Sequence, residues 1–379
     1  MPIIPHSPPQ LASLIAALEP TRRLRRPEIG IDAIAGAHGP IAVRETTEAR
    51  TPFYRLVHFE KDARAAGPPV LVVAPLSGHF AALLRDLVAA LLAEHDVRLV
   101  DWSDARDVPL AAGPFGIEEN IAAIIDCAAD GIARCGGELH LFGLCQSAMP
   151  ALAATALLAA GHGAAAPTSL VLMNGMIDTR LRPTRIDRLA ARRSPEWFRR
   201  YALAHVSQPH VGAGRTVYPA TMQHAALVAY LMRHLATGGE LLGKLLEDDG
   251  LDAAAHPFFA LYLSVMDLPA EFFLESVRLV FQEYALPRGR LAWRGAVVDP
   301  CALSATALMT VEGEYDDVSG PGQTRVAHTL CRNVPRERRA HYVQAGAGHF
   351  GTFHGLRWRR EILPRIGAFI REHRPPGVG

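Results

Sequence analysis

Continuous apolar runs alternate with helical patterns over the first half of the chain. The runs VLVVAP (70–75), VRLVDW (97–102) and SLVLMNG (169–175) have the length and composition of buried strands. Residues 117–134 carry isoleucines at helical spacing before the last of these runs. Strands that alternate with helices form a parallel sheet with right-handed crossovers, so the pattern predicts an α/β fold.

The alternation stops after residue 177 and resumes near residue 304. The intervening residues show few strand-like runs and many aromatic and helical segments. An insertion between two strands of an open α/β sheet is typical of a lid over the carboxyl ends of the strands. A helical subdomain that only enlarges the core is the alternative. The chain is therefore divided into an N-terminal extension at 1–50, a first part of the core at 51–177, a helical lid at 178–303 and a second part of the core at 304–379.

Composition indicates a globular protein, since 49% of the 379 residues are hydrophobic and 20% are charged. The net charge of +1 provides no global field that would attract nucleic acid or an anionic membrane. The basic clusters at 22–26 and 332–339 are interpreted as solvated faces. No nucleic-acid partner is expected.

The N-terminus, MPIIPHSPPQ, lacks the basic and apolar regions of a secretory signal. No run approaches the roughly 18 apolar residues that a membrane span needs. Five cysteines without CxxC spacing argue against a disulfide framework or a zinc site. We therefore expect a soluble, cytoplasmic protein that holds no metal or cofactor.

The stretch LHLFGLCQSAMP (139–150) has the order strand, sharp turn, helix. It resembles the nucleophile elbow G-x-S-x-G, with Cys145 as nucleophile and Ser147 in place of the second glycine. Small residues are needed two positions either side of the nucleophile, and Gly143 and Ser147 satisfy that need. A buried, inert thiol at a strand end is the alternative.

A nucleophile at this position needs an acid and a base, which follow it in that order along the chain. The turn after the strand in TALMTVEGEYDD (306–317) offers Asp316, with Asp317 next to it. Asp316 is preferred, and Asp317 is expected to bond backbone in the turn. His349 lies in a glycine-rich turn after the last strand, where glycines let the chain bend sharply. The three turns together predict a Cys145–His349–Asp316 triad.

The supporting residues follow from the same architecture. An oxyanion hole is expected from the N–H of Gln146 and from an N–H of either Leu76 or Ser77, in the loop after the 70–75 strand. His79 in that loop is a candidate substrate-binding residue, with a structural role as the alternative. Ser147 is a second candidate substrate-binding residue.

Nine segments together carry a resemblance to one family, and they extend over most of the chain from about residue 50. They are VVAPLSGHFAALLR (72–85), DWSDARDVPL (101–110), CQSAMPALAA (145–154), IDTRLRPT (177–184), VYPATMQ (217–223), VMDLPAEFFLESVRLVFQ (265–282), LPRGRLAWRG (286–295), VEGEYDDVSGPGQT (311–324) and GAGHFGTFHG (346–355). The sequence is similar to the intracellular poly(3-hydroxybutyrate) depolymerases, a cysteine-dependent branch of the α/β-hydrolase fold. Ser147 stands where that family usually has proline, and Asn174-Gly175 stands where a glycine pair is usual.

The resemblance implies hydrolysis of the polyester stored in the cell, with Cys145 as nucleophile, His349 as base and Asp316 as orienter. It implies a polyhydroxybutyrate granule surface and 3-hydroxybutyrate oligomers as partners, and a cytoplasmic, granule-associated location. Two rival functions are kept. One is a polyhydroxyalkanoate synthase-like or coenzyme A-dependent acyltransferase on the same fold, and the other is a catalytically idle hydrolase fold that binds granules.

Overall fold

The computed structural model describes residues 26–62, 67–161 and 165–375. The centre of this part is a nine-stranded sheet in the order β1-β2-β3-β5-β4-β6-β7-β13-β14. Its strands are β1 (Ala33–Gly36), β2 (Gly39–Arg50), β3 (Tyr54–Lys61), β4 (Pro69–Val73), β5 (Asp96–Trp102), β6 (His140–Leu144), β7 (Ser169–Met173), β13 (Ala307–Gly313) and β14 (Arg339–Gln344). The short strands between β7 and β13 are β8 (Ala204–His205), β9 (Thr216–Tyr218), β10 (Leu268–Pro269), β11 (Ala292–Trp293) and β12 (Ala296–Val297).

The helices lie on the connections between these strands. The α-helices are α1 (Arg85–Leu91), α2 (Ile117–Arg134), α3 (Ala148–Ala159), α4 (Arg185–Arg192), α5 (Pro195–Tyr201), α6 (Ala220–Thr237), α7 (Glu240–Leu246), α8 (Phe258–Tyr262), α9 (Ala270–Ser276), α10 (Ala327–Leu330) and α11 (Leu363–Glu372). Short 3₁₀ helices include Ala81–Leu84, Cys145–Ser147 and Phe350–Thr352, and π-helical turns occupy Val277–Gln282 and Trp358–Ile362. No helix of the described part is long and apolar enough to cross a membrane.

Six neighbouring strands, from β5 to β14, pair in parallel. Every residue of β4, β6, β7 and β13 is buried, as expected for strands covered on both faces. The predicted α/β fold with a mostly parallel sheet is therefore confirmed. The strand order reverses at β4, which pairs with both β5 and β6, and open sheets of this kind place their sites at the carboxyl ends near such a reversal.

The sheet extends further toward the N-terminus than the expected core boundary at residue 51. β2 pairs antiparallel with β3, and β1 pairs with β2, so residues 33–50 continue the main sheet. The sequence pattern missed these strands because they are half-exposed and lack a continuous apolar run. The helix expected around Leu11 to Leu18 lies outside the described residues.

The chain between β7 and β13 leaves the sheet and returns to the strand next to its departure point. Within it, residues 178–303 are called the insertion below. The insertion carries α4 to α9 and five short strands, which are more than the sequence pattern predicted. It packs over the carboxyl ends of the sheet, because its side chains share one cavity with residues that follow β4, β6 and β14.

The turn between β6 and α3 is packed too closely for a side chain at Gly143. A Cβ placed there would lie 2.7 Å from Ala151 Cβ and 3.0 Å from Ala148 Cα. Both distances are shorter than normal carbon contacts, so helix α3 can approach the strand only because residue 143 is glycine.

We expect Gly143→Ala to lower the free energy of unfolding by about 1–3 kcal/mol, because an overpacked methyl forces α3 away from the sheet. The matched control is Gly243→Ala in α7, where no heavy atom lies within 4 Å of the added Cβ. Because alanine favours a helix over glycine by roughly 1 kcal/mol, this control is expected to be neutral or stabilising. Urea unfolding measures both; a Gly143→Ala protein as stable as wild type would contradict the packing argument.

Candidate active site

Cys145 lies directly after β6, with its backbone in the left-handed region at φ 51°. This conformation is unfavourable for residues other than glycine and is found at strained functional turns. The chain then enters a 3₁₀ turn at Cys145–Ser147 and helix α3. The turn therefore has the strand, strained residue and helix of a nucleophile elbow.

Ser147 stabilises the elbow and does not line the cavity. Its side chain is buried, accepts a hydrogen bond from the Leu144 N–H (2.9 Å) and donates one to the Val73 carbonyl (2.8 Å). These bonds give Ser147 a structural role at the elbow, and its substrate-binding role stays a prediction. A hydroxyl of this size can join β6 to β4 at the point where both strands end, which sequence alone does not reveal.

Asp316 and His349 lie in the turns after β13 and β14 and contact each other. The His349 Nδ1–H donates to Asp316 Oδ2 (2.8 Å), while Asp316 Oδ1 accepts from the backbone N–H groups of Val318 (2.9 Å) and Ser319 (2.8 Å). The Cys145 side chain lies beside the imidazole in the wall of the same cavity and favours its charged form. The structure thus brings together all three residues of the predicted triad.

Two opposing effects act on the His349 imidazole. Burial disfavours its charged form, but the Asp316 carboxylate and the Cys145 side chain favour it more strongly, so the pKa of His349 is raised well above its ordinary value. A positively charged imidazole next to a thiol stabilises the thiolate. The arrangement can therefore supply a nucleophilic sulfur and a proton donor beside it.

Asn174, directly after β7, positions the His349 turn. Its side-chain amide donates to the His349 carbonyl (2.7 Å) and to Thr352 Oγ1 (2.6 Å). The Asn174 backbone is left-handed at φ 47°, a conformation that glycine and asparagine adopt with least strain. The departure from a glycine pair at this position is therefore compatible with the turn and adds two hydrogen bonds.

Asp317 bonds side chains of the insertion rather than backbone in its own turn, which corrects the expectation from sequence. It accepts hydrogen bonds from the Tyr230 hydroxyl, from Arg233 (2.7 Å) and from His234 (3.3 Å), all on α6. Burial alone would raise the pKa of Asp317, but the hydrogen bonds from Tyr230 and Arg233 hold it below its ordinary value. The two adjacent carboxylates therefore have different partners: Asp316 bonds His349, and Asp317 bonds α6 of the insertion.

Glu240 is a residue that sequence reasoning missed. It begins α7 in the insertion, and its carboxylate accepts the backbone N–H groups of Phe350 (3.1 Å) and Gly351 (2.6 Å), directly after His349. Burial raises the pKa of Glu240 despite these bonds and the nearby Lys244. An acidic residue in the first turn of a helix is common and is ordinarily explained by the helix dipole, so its sequence position gave no signal.

The predicted oxyanion donors lie around Cys145, with one difference. Leu76 and Ser77 both line the cavity, but the Leu76 N–H donates to the side-chain oxygen of Gln146 (3.0 Å). An oxyanion at Leu76 would have to displace that oxygen. The backbone N–H of Gln146 belongs to the first turn of the helix, where N–H groups have no intrahelical partner.

The cavity above these residues has a volume of about 440 Å³, within the range of roughly 300–1,000 Å³ that is typical of small-molecule sites. Cys145 and His349 lie in its wall, and most of the other lining side chains are apolar. The insertion contributes, among others, Ile186, Phe198, Leu227, Tyr262, Phe272 and Val280. Such a lining favours a neutral, apolar ligand and excludes water from the thiol.

His79 also lines the cavity, as predicted. Its ring lies 5.5 Å from the Tyr262 ring between centroids, and burial together with nearby His349 lowers its pKa to about 4. Within the described part of the chain, its buried Nε2 has no hydrogen-bond partner. The neutral ring therefore presents a free acceptor, and the substrate-binding role of His79 stays a prediction.

Asp248, Asp249 and His354 form a group with the spacing of metal ligands outside the cavity. The Lys244 ammonium already contacts two of them, Asp249 Oδ1 (2.5 Å) and His354 Nδ1 (2.9 Å). Burial and this ammonium lower the pKa of His354 to about 3, so its ring remains a neutral acceptor. The group is arranged around a lysine, and the expectation of no metal stays a prediction.

A family model described as "PHB de-polymerase C-terminus" matches residues 174–374, which are more than half of the chain. The chain belongs to this family. The match begins at Asn174 and includes the insertion, Asp316 and His349. It begins after the elbow and does not include it, so it does not test whether Cys145 is a nucleophile. No curated protein matches the chain.

Solved structures show similarity in fold. A soluble variant of monoglyceride lipase from Saccharomyces cerevisiae, in complex with a substrate analog, has a TM-score of 0.52 at 9% identity, over 88% of this chain and 96% of that chain. A malate-bound thermophilic esterase from Thermogutta terrifontis has a TM-score of 0.43 at 15% identity, over 88% and 99% of the two chains. The similarity to the lipase shows the α/β-hydrolase fold.

Glu240→Gln should loosen the His349 turn, because an amide can accept only one of the two N–H groups and turns a donor toward the other. Hydrogen bonds to charged groups contribute about 1.5–3 kcal/mol. We expect kcat for ester hydrolysis to fall about tenfold or more with little change in KM. Glu247→Gln is the control, since Glu247 directly follows α7 and lines, together with Glu240, a pocket on the outer surface, but accepts no hydrogen bond from the His349 turn in the described part of the chain. Equal kinetics for the two variants would contradict the role of Glu240.

Asp316→Asn should lower the pKa of His349, because burial remains while the carboxylate that opposes it most strongly is lost. NMR titration of the imidazole in both proteins measures this change. The imidazole would then lose its proton at a lower pH. In a plot of the rate of ester hydrolysis against pH, the decline at high pH should also begin at a lower pH.

Asp317→Asn is the control for that titration, since Asp317 is adjacent in sequence but bonds α6. Its effect on His349 should be clearly smaller. A larger shift in Asp317→Asn than in Asp316→Asn would show that the orienting carboxylate is assigned wrongly.

Proposed function

We propose that the protein hydrolyses stored poly(3-hydroxybutyrate) inside the cell, with Cys145, His349 and Asp316 as its catalytic triad. The observation that carries the proposal is the His349 imidazole, which donates to Asp316 (2.8 Å) and lies beside Cys145 in the wall of an apolar cavity. Membership of the depolymerase family and the α/β-hydrolase fold support ester hydrolysis.

The first half of the reaction forms a thioester. The Cys145 thiolate attacks the ester carbonyl, and the oxyanion is held by the Gln146 N–H and a second N–H from the loop after β4. When the tetrahedral intermediate collapses, the carbon–oxygen bond of the ester breaks. The leaving alkoxide takes the proton of the His349 imidazolium and departs as an alcohol.

The second half releases the acid. Neutral His349 takes a proton from water, and the resulting hydroxide attacks the thioester carbonyl. The carbon–sulfur bond then breaks, and the thiolate is again paired with the imidazolium. Asp316 remains ionised throughout and holds the tautomer in which Nε2 faces the sulfur.

The outer surface of the insertion supports adsorption to a polymer granule. Most of the exposed large apolar side chains in the described part belong to it: Leu181, Ile186, Leu189, Tyr201, Val211, Met222, Met232, Leu246, Leu251 and Val297. Exposed apolar surface of this kind marks contacts with partners or other apolar surfaces. We propose that this face meets the granule, so that polymer segments can enter the cavity beneath it.

Amorphous polyhydroxybutyrate granules incubated with wild-type protein, without coenzyme A, should release 3-hydroxybutyrate and its oligomers. Cys145→Ala should release none, because the nucleophile is absent, and iodoacetamide should inactivate the wild type. Cys135→Ala is the control, since Cys135 lies at the end of α2, far along the chain from the elbow.

Two results would contradict the proposal. Release that persists in Cys145→Ala would exclude this nucleophile. No release by wild type, with acyl transfer once coenzyme A is added, would favour the acyltransferase.

A further inference from the structure

A second groove adjoins the catalytic cavity, between α4 and α6 of the insertion. It has a volume of about 960 Å³. Four side chains line both the groove and the cavity: Ile186, Leu189, Ala226 and Tyr230. The groove and the cavity therefore lie next to each other and meet at these side chains.

All of the charged side chains that line the groove are arginines: Arg185, Arg188, Arg192, Arg193 and Arg233. Helix α4 carries three of them at spacings of three and four residues, which places them on one face beside Leu189. The floor on the α6 side is made by the small residues Ala226 and Ala229. The groove is thus an apolar channel with a positively charged rim.

Some of these guanidinium groups already have partners. Arg233 bonds Asp317 (2.7 Å), Arg188 donates to the Pro183 carbonyl (2.7 Å) and Arg193 lies over the Trp197 ring. In residues 26–62, 67–161 and 165–375, Arg185 and Arg192 form no hydrogen bond or salt bridge.

The nearest acidic residue on α4 does not offset this charge. Asp187 is buried, accepts a hydrogen bond from the Thr184 N–H (2.7 Å) and accepts another from Gln323 (2.8 Å). It is therefore engaged toward the core rather than the groove. The unpaired arginines leave a local positive field that favours an anionic ligand.

We propose that this groove binds the free carboxylate at the end of a hydroxyalkanoate chain. The inference rests on the proposed function and names the substrate end that the site selects. A linear polyester of hydroxyacids is neutral along its length and has one anionic group, its terminal carboxylate. Guanidinium groups match the geometry of a carboxylate with paired N–H donors, while the apolar cavity suits the neutral ester units.

This placement determines which fragment leaves. Thiolate attack breaks the acyl carbon–oxygen bond, and the fragment that carries the original carboxylate departs as the alcohol, with the proton from His349. The remaining acyl chain stays on Cys145 until water releases it. Cleavage therefore occurs near the carboxylate end and produces short hydroxyacids.

The test compares two soluble substrates that differ at one end, the linear 3-hydroxybutyrate tetramer with a free carboxylate and the same tetramer with that carboxylate capped as a neutral methyl ester. We expect wild type to have a higher kcat/KM for the free acid. Arg185→Gln combined with Arg192→Gln should raise KM for the free acid about tenfold, since hydrogen bonds to charged groups are lost, without changing kinetics on the methyl ester. Arg199→Gln is the control, because Arg199 is exposed on α5 and pairs with Glu196.

Salt dependence provides a second measurement that needs no variant. KM of wild type for the free acid should rise with ionic strength, while KM for the methyl ester stays constant. Equal kcat/KM and equal salt dependence on the two substrates would overturn the inference and leave ester hydrolysis intact. A double variant that loses both activities equally would also overturn it. If wild type hydrolysed neither substrate nor granules, the proposed function itself would fail.

Discussion

The buried contact between His349 and Asp316 is the interaction on which the rest of the site depends. Burial opposes a charged imidazole, so the proton on His349 is retained only because a carboxylate and a thiol lie against it. Each partner is in turn held by backbone. Asp316 accepts hydrogen bonds from two N–H groups of its own turn. Cys145 has a strained, left-handed backbone conformation between a strand and a helix. A small displacement of any of the three turns would therefore lower the pKa of His349.

The insertion covers the cavity and also forms hydrogen bonds with the turns that carry His349 and Asp316. Glu240 of the insertion accepts hydrogen bonds from the two backbone N–H groups that follow His349. Asp317 of the core accepts hydrogen bonds from three side chains of α6. The turns that carry His349 and Asp316 are therefore each bonded to the insertion. Movement of the insertion and the geometry of the triad are coupled through these partly buried carboxylates, because each would lose hydrogen bonds if the insertion moved away.

In the proposed reaction, the apolar cavity and the arginine-lined groove bind different parts of a polyester chain end. The cavity at Cys145 is apolar and suits uncharged ester units, whereas the groove beside it carries arginines without lining carboxylates. The shared residue Tyr230 lines both and also bonds Asp317. Substrate recognition and the attachment of the insertion therefore meet at one side chain.

Local patterns in the sequence were sufficient for the parallel sheet, for the elbow at Cys145 and for the acid and histidine turns, because buried strands and glycine-dependent turns depend on neighbouring residues. That the three turns meet follows from their shared position at the carboxyl ends of parallel strands. The inward hydroxyl of Ser147, the partners of Asp317, the Leu76–Gln146 bond and the role of Glu240 were decided only by the tertiary structure. Each joins residues that are about 70 to more than 100 positions apart. Their hydrogen bonds depend on how the insertion and the strands pack, and no local pattern of residues encodes that packing.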